Sequence, residues 1–229
     1  MENLETRTAL IETCRAMNAS GINQGTSGNV SVRSGDGLLI TPSGMSYDTM
    51  TPEDIVFMDF DGTYIGPRPS SEWRFHRDIL MARSDANAVV HCHSVHATAL
   101  ACHHKSIPSF HYMTAVAGGT DIKCAGYATF GTQALSDEAL GALDGRRACL
   151  LGQHGQIAIG ENLTAALWLA TEVETLARIY INALALGEPP VLSDSEMAIV
   201  IEKMNGQGYG QSEASEDHCP ERPKTSVSP

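Results

Sequence analysis

No stretch of the 229-residue chain approaches the roughly 20 consecutive apolar residues needed to cross a bilayer as a helix. The first ten residues alternate charged and apolar side chains without an apolar centre, so the expectation is a cytoplasmic protein with no signal peptide and no membrane partner. Basic residues are scarce, with 15 Lys and Arg against 27 Asp and Glu and a formal net charge of -12. A nucleic-acid binder would show a basic face, and this balance argues against one. It also means that any phosphate site must be built from local donors, not from a general positive field. Lysine is limited to Lys105, Lys123, Lys203 and Lys224. The six cysteines (Cys14, Cys92, Cys102, Cys124, Cys149 and Cys219) form no Cys-x-x-Cys pair, which leaves neither a structural zinc knot nor a disulfide framework. In a cytosolic chain they read as free thiols, mostly buried.

What is present is ordinary for a globular protein: 42% hydrophobic and 18% charged residues, in a chain long enough to fill one good core. Residues 1–205 are expected to form one domain. Residues 206–229, which are polar, acidic and proline-bearing, are expected to form a flexible tail. Leu10, Cys14 and Met17 make an apolar stripe on a helix over 2–19, ended by Gly21. Val30 and Val32 alternate with Ser31 and Arg33 in a strand, residues 38–40 form a second, and 54–59 a third that Asp61-Gly62 turns into a hairpin. The Pro-Ser-Ser run at Pro69 opens a helix reaching about Arg83. Residues 107–113 read as a short strand carrying Tyr112, and 137–143 as a helix. Residues 148–159 read as a strand pair interrupted by Gly152-Gln-His-Gly155. A long helix capped by Asn162 runs to about Leu186, with Ala166, Leu169, Val173, Leu176 and Tyr180 as its core stripe. A last helix covers 193–203.

The chain is organised around Ala88-Val-Val-His-Cys-His93. A strand turns alternate side chains to one face, so His91 and His93 point the same way and offer two ligands to a divalent metal. His154 sits between glycines that let backbone approach a ligand closely. Glu72 falls in the first turn of its helix, where the dipole alone favours a carboxylate by a few tenths to about 1 kcal/mol. Three imidazoles and one acid fit a catalytic zinc, which keeps three protein ligands and one exchangeable position. The polar turns at Asn29, at Ser43-Gly44 and at Ser70-Ser71 are placed to gather around one phosphate.

Seven ordered blocks carry a family resemblance: Asn23–Arg33, Ile40–Gly44, Pro69–His76, Asp85–His93, His111–Met113, Tyr127–Gly131 and His154-Gly155. Over about Thr13 to Met204 the chain resembles class II aldolases of the L-fuculose-phosphate aldolase type. Their superfamily includes L-ribulose-5-phosphate 4-epimerase and the adducin head. The resemblance implies a three-layer α/β/α fold with a central, mostly antiparallel sheet flanked by helices. It implies that His91, His93 and His154 bind zinc, with Glu72 as fourth ligand and acid/base. It makes Asn29, Ser43, Gly44, Ser70 and Ser71 phosphate-binding. Tyr112 becomes a catalytic tyrosine that reaches a neighbouring subunit's site in a homotetramer, and Phe130 lies at the aldehyde end. Gln153 stands where the fuculose enzyme has a second histidine, and Tyr209 follows a longer linker than the family's tail tyrosine.

The activity implied is reversible cleavage of a ketose 1-phosphate of the L-fuculose 1-phosphate type to dihydroxyacetone phosphate and a small aldehyde. The zinc would act as a Lewis acid for the charge released when the carbon–carbon bond parts. The alternatives within the superfamily are an aldolase for 5-deoxyribulose 1-phosphate or 5-(methylthio)ribulose 1-phosphate, a pentulose-5-phosphate 4-epimerase and a sugar-phosphate dehydratase. A non-enzymatic adducin-like module would have no need to keep four metal-type side chains.

Overall fold

The computed structural model describes residues 3–207; Tyr209, Cys219 and the expected tail from residue 208 onward lie outside the described residues. One eight-stranded sheet forms the centre, in the order β4-β3-β2-β1-β5-β8-β7-β6. Its strands are β1 Asn29–Ser34, β2 Gly37–Ile40, β3 Val56–Asp59, β4 Tyr64–Ile65, β5 Ala88–Cys92, β6 Cys124–Ala125, β7 Ala148–Leu151 and β8 Gly155–Gly160. Every pairing is antiparallel except β6 with β7.

Both faces of the sheet are covered, which makes three layers. One core packs Val30, Ala88, Val90, Cys92, Leu150 and Ala158 against helices α1 Leu4–Ala19, α3 Val95–Cys102 and α5 Leu163–Leu184. The other packs Val89, Cys149, Leu151, Ile157 and Ile159 against α2 Trp73–Ala82 and α4 Gln133–Ala142. The strands therefore alternate between two apolar layers, so both sets of side chains leave water. The expected stripe on α5 is buried at all five positions. A final helix, α6, spans Asp194–Gln207.

Local chemistry corrects several boundaries. Tyr112 does not lie on a strand but opens a 3-10 helix, Tyr112–Ala117, whose N-cap is His111: the Met113 N–H donates to His111 Nδ1 at 3.2 Å. Asp54 belongs to a short 3-10 helix, Pro52–Asp54, and its carboxylate accepts from Thr51 N and Oγ1 at 2.9 and 2.8 Å, a capping box. The helix expected from Pro69 starts at Trp73, which leaves Glu72 as N-cap with no capping hydrogen bond from its side chain. Helix α4 starts earlier than expected because Thr132 Oγ1 accepts from Leu135 N at 3.3 Å. Of the five cysteines among the described residues, Cys14, Cys92 and Cys149 are buried and Cys102 is exposed; all are free thiols.

Candidate metal centre and oxyanion cleft

Strand register gathers the site at one end of the sheet. Asn29, the first residue of β1, pairs with His91 near the end of β5, and Cys92 pairs with Gln156 just after the β7–β8 turn. His91 follows Val89 on the face covered by α2, and His93 continues the same alternation one residue past the strand. His154 stands in the turn, with its N–H donating to Leu151 O at 3.0 Å, next to Gln153, whose φ is +55°. Gly155 then has to be glycine. A Cβ there would lie 2.6 Å from Cys92 O, 2.9 Å from the His93 ring and 3.3 Å from the His91 ring.

The three imidazoles meet edge to face, with centroids 4.8 to 5.0 Å apart and interplanar angles of 70 to 75°. Their metal-type nitrogens all lie within 4.8 Å of one another. His91 Nε2 and His93 Nε2 are 3.1 Å apart, and the Glu72 carboxylate brings Oε2 to 3.2 Å from His91 Nε2 and Oε1 to 3.2 Å from His154 Nε2. Two ligands of a tetrahedral zinc at about 2.0–2.1 Å stand roughly 3.3 Å from each other, so the spacing fits. Glu72 Oε1 is buried and makes no hydrogen bond among the described residues, despite its ion-pair distance to His154. A buried carboxylate oxygen without a proton donor is costly in isolation and well explained by a cation. The donor set thus fits a divalent ion on chemistry as well as distance.

The surrounding shell fixes these side chains. His91 is fully buried and donates Nδ1–H to the Gln156 carbonyl at 2.9 Å, which leaves the Nε2 lone pair facing the centre. Gln156, also buried, is held in turn by Ser94 Oγ at 2.7 Å and Ala170 O at 3.1 Å. Burial, then His91 and His154 beside it, push His93 down to about 4. Burial, then His91, does the same to His154, also to about 4. Both are therefore neutral, ligand-ready imidazoles at neutral pH. Burial works to raise the Glu72 carboxyl, but His91, His154 and the Asn29 amide outweigh it and hold Glu72 well below the usual carboxylate range.

One residue that sequence reasoning did not single out completes the network. His76 on α2 is fully buried; its Nε2 lies 2.5 Å from Asn29 Oδ1 and its Nδ1 lies 2.7 Å from Ser31 Oγ. Asn29 Nδ2 donates to Glu72 Oε2 at 2.9 Å. Burial, then His91, push His76 down to about 3, so it is neutral. Ser31 shows why the contact forms: a polar residue on a strand buried on both faces needs a partner.

A cleft of about 360 Å³ opens over the centre. Asn29, Ser43, Gly44, Ser70, Ser71, Glu72, Phe130, His93 and His154 all line it, together with Thr26, Ser27, Tyr127 and Gln153. Phe130 is 66% exposed, and Gly131 lets its loop approach: φ is +73°, and a Cβ would sit 2.8 Å from Ser71 O. Tyr112, 45% exposed, does not line this cleft. Gln153 lines the cleft but stands outside the ligand cluster.

Fold and site together define an α/β protein with a three-histidine, one-carboxylate centre under a cleft rich in hydroxyls and glycine. The chain belongs to the Class II Aldolase and Adducin N-terminal domain family, whose model matches residues 8–181. It is 54% identical over 203 residues to a 5-methylthioribulose-1-phosphate/5-deoxyribulose-1-phosphate aldolase of Rhodospirillum rubrum, covering 88% of this chain and 92% of that one. It is 53% identical over 210 residues to the L-fuculose phosphate aldolase of Escherichia coli, covering 91% and 98%. Among solved structures, an L-fuculose 1-phosphate aldolase superposes with a TM-score of 0.87 at 40% identity, covering 90% of this chain and 98% of that chain.

Proposed function

We propose that this chain is a zinc-dependent aldolase that reversibly cleaves a ketose 1-phosphate of the L-fuculose 1-phosphate type to dihydroxyacetone phosphate and a small aldehyde. The observation that carries this reading is the convergence of Glu72 with His91, His93 and His154 on the floor of a cleft whose wall is hydroxyl-rich. Zinc held by these residues supplies Lewis acidity for the negative charge on the dihydroxyacetone phosphate fragment.

The chain's own residues do the rest. Asn29, Ser43, Gly44, Ser70 and Ser71 hold the phosphate, using local donors in a protein whose net charge is -12. In the direction of synthesis, Glu72 takes a proton from C3 of dihydroxyacetone phosphate. Its carboxyl, held well below the usual carboxylate range, is ionised at neutral pH and so is in the form that can accept a proton. Tyr112 of a neighbouring subunit gives its phenolic proton to the oxygen forming at C4, and both transfers reverse in cleavage. Each such transfer contributes about 10²–10⁴-fold. Phe130 walls the aldehyde end. We infer a homotetramer; the exposed position of Tyr112, away from its own cleft, supports sites shared between subunits. No helix among the described residues is long and apolar enough to cross a membrane, and we place the enzyme in the cytoplasm.

A second reading has specific support: the 54% identical relative is named for 5-methylthioribulose and 5-deoxyribulose 1-phosphates. One experiment separates the two. The zinc-loaded protein is incubated with a panel of ketose 1-phosphates, and both fragments are identified by mass. Dihydroxyacetone phosphate is expected from each substrate accepted, and the faster substrate names the aldehyde. Absence of dihydroxyacetone phosphate from every member of the panel overturns the aldolase reading.

A further inference from the structure

We propose that His76 is a positioning residue, which locks the Asn29 side-chain amide so that its N–H groups face Glu72 and the cleft. The inference rests on the metal and phosphate roles proposed above for Glu72 and Asn29. The proton directions follow from the partners. Glu72 Oε2 belongs to an ionised carboxylate and only accepts, so the atom 2.9 Å away must be the Asn29 nitrogen. Asn29 Oδ1 is then the acceptor of the contact to His76, and His76 Nε2 must carry the hydrogen. A neutral imidazole carries one hydrogen, so His76 Nδ1 accepts from the Ser31 hydroxyl. The chain Ser31, His76, Asn29, Glu72 therefore points every hydrogen toward the carboxylate.

Without His76 the amide keeps only its contact to Glu72 to hold this orientation, and nothing pairs with Oδ1. Turned over, Asn29 would set Oδ1 against Glu72 Oε2, two acceptors in a buried place, and would show a carbonyl oxygen to an anionic substrate. The His76 ring is itself clamped: it stacks on Phe75 at 4.6 Å and 30°, and Phe75 meets His91 edge-on at 5.4 Å.

The test compares His76→Phe, which keeps an apolar ring but no polar contact, with His76→Gln, whose amide can donate to Asn29 and accept from Ser31. Ser31→Ala serves as a third variant should His76→Phe not fold. Zinc affinity is read by competition with a chromophoric chelator. Inorganic phosphate binding is read by calorimetry, and kcat and KM are read on the ketose 1-phosphate. His76→Phe is expected to lose about 10–100-fold in zinc affinity and in kcat, the usual cost of removing a partner that orients a ligand, and to bind phosphate more weakly. His76→Gln is expected to recover most of each loss, and Ser31→Ala to shift the same readouts less. A role in packing alone would lower the melting temperature of both His76 variants and leave the kcat of folded protein unchanged.

Folded His76→Phe, or Ser31→Ala in its place, with all readouts within twofold of the parent overturns the proposal. So does His76→Gln as impaired as His76→Phe. If the parent releases no dihydroxyacetone phosphate while the zinc and phosphate readouts shift as expected, the aldolase reading falls and the positioning role stands.

Discussion

The two carboxylate oxygens of Glu72 face different surroundings. Oε2 is held by the Asn29 amide and stands 3.2 Å from His91, while Oε1 is buried without a hydrogen bond. Replacing the acid by its amide keeps the shape and the three imidazoles but removes the proposed base. Glu72→Gln is therefore expected to retain zinc by elemental analysis and to lose about 10²–10⁴-fold in kcat; near-normal turnover would remove Glu72 from the mechanism. In the sequence, Glu72 alone reads as a first-turn carboxylate favoured by the helix dipole, and only the motif around it says more. His91 and His93 were legible because a strand period of two needs no tertiary knowledge. His76 and Ser31 were not: alternation assigned Ser31 to the polar face, whereas a sheet covered on both sides has no such face, and Ser31 is fully buried.

At the scale of elements, the β7–β8 turn is the piece on which the centre depends. It must present His154 and at the same time let β8 start beneath the His91 and His93 rings, and Gly155 is the residue that allows both. Gly155→Ala places a methyl 2.6 Å from Cys92 O and 2.9 Å from the His93 ring, closer than such contacts come, and backbone cannot yield as a side-chain tip does. Overpacking of this kind costs about 1–3 kcal/mol. The expected outcome is a lower urea midpoint together with weaker zinc binding in chelator competition. An unchanged midpoint and unchanged zinc affinity would show that the turn relaxes freely. The strand pair and the long helix α5 could be read from the sequence because each carries its own period and its own cap. The 3-10 helix at Tyr112 could not, since its cap is a His111 ring nitrogen accepting a backbone N–H, a contact that no periodicity announces.

The whole molecule answers to pH through the same buried imidazoles. His76, His93 and His154 are held at about 3, 4 and 4 in the folded state, against about 6.5 in an unfolded chain. Between those values the unfolded chain binds protons that the folded one refuses, so stability rises with pH across the window and is lost as pH falls through it. Glu72, depressed below the usual carboxylate range, adds a loss of the same sign at lower pH. The melting temperature of metal-free protein is expected to fall steadily from pH 6.5 toward 4, and a flat profile would contradict the burial of these rings. The assembly makes a different demand. Tyr112 is half exposed and absent from the lining of its own cleft, so the proton it is proposed to deliver has to cross a subunit boundary. Tyr112→Phe and Glu72→Gln, each nearly inactive alone, should then complement each other when co-expressed in equal amounts. On the proposed mechanism a working site needs an intact Glu72 from one chain and an intact Tyr112 from the next. Each is met half the time in a random closed ring, so about a quarter of the sites should recover. Should the mixed assemblies show no more activity than the sum of the two variants, the tyrosine acts within its own subunit or not at all.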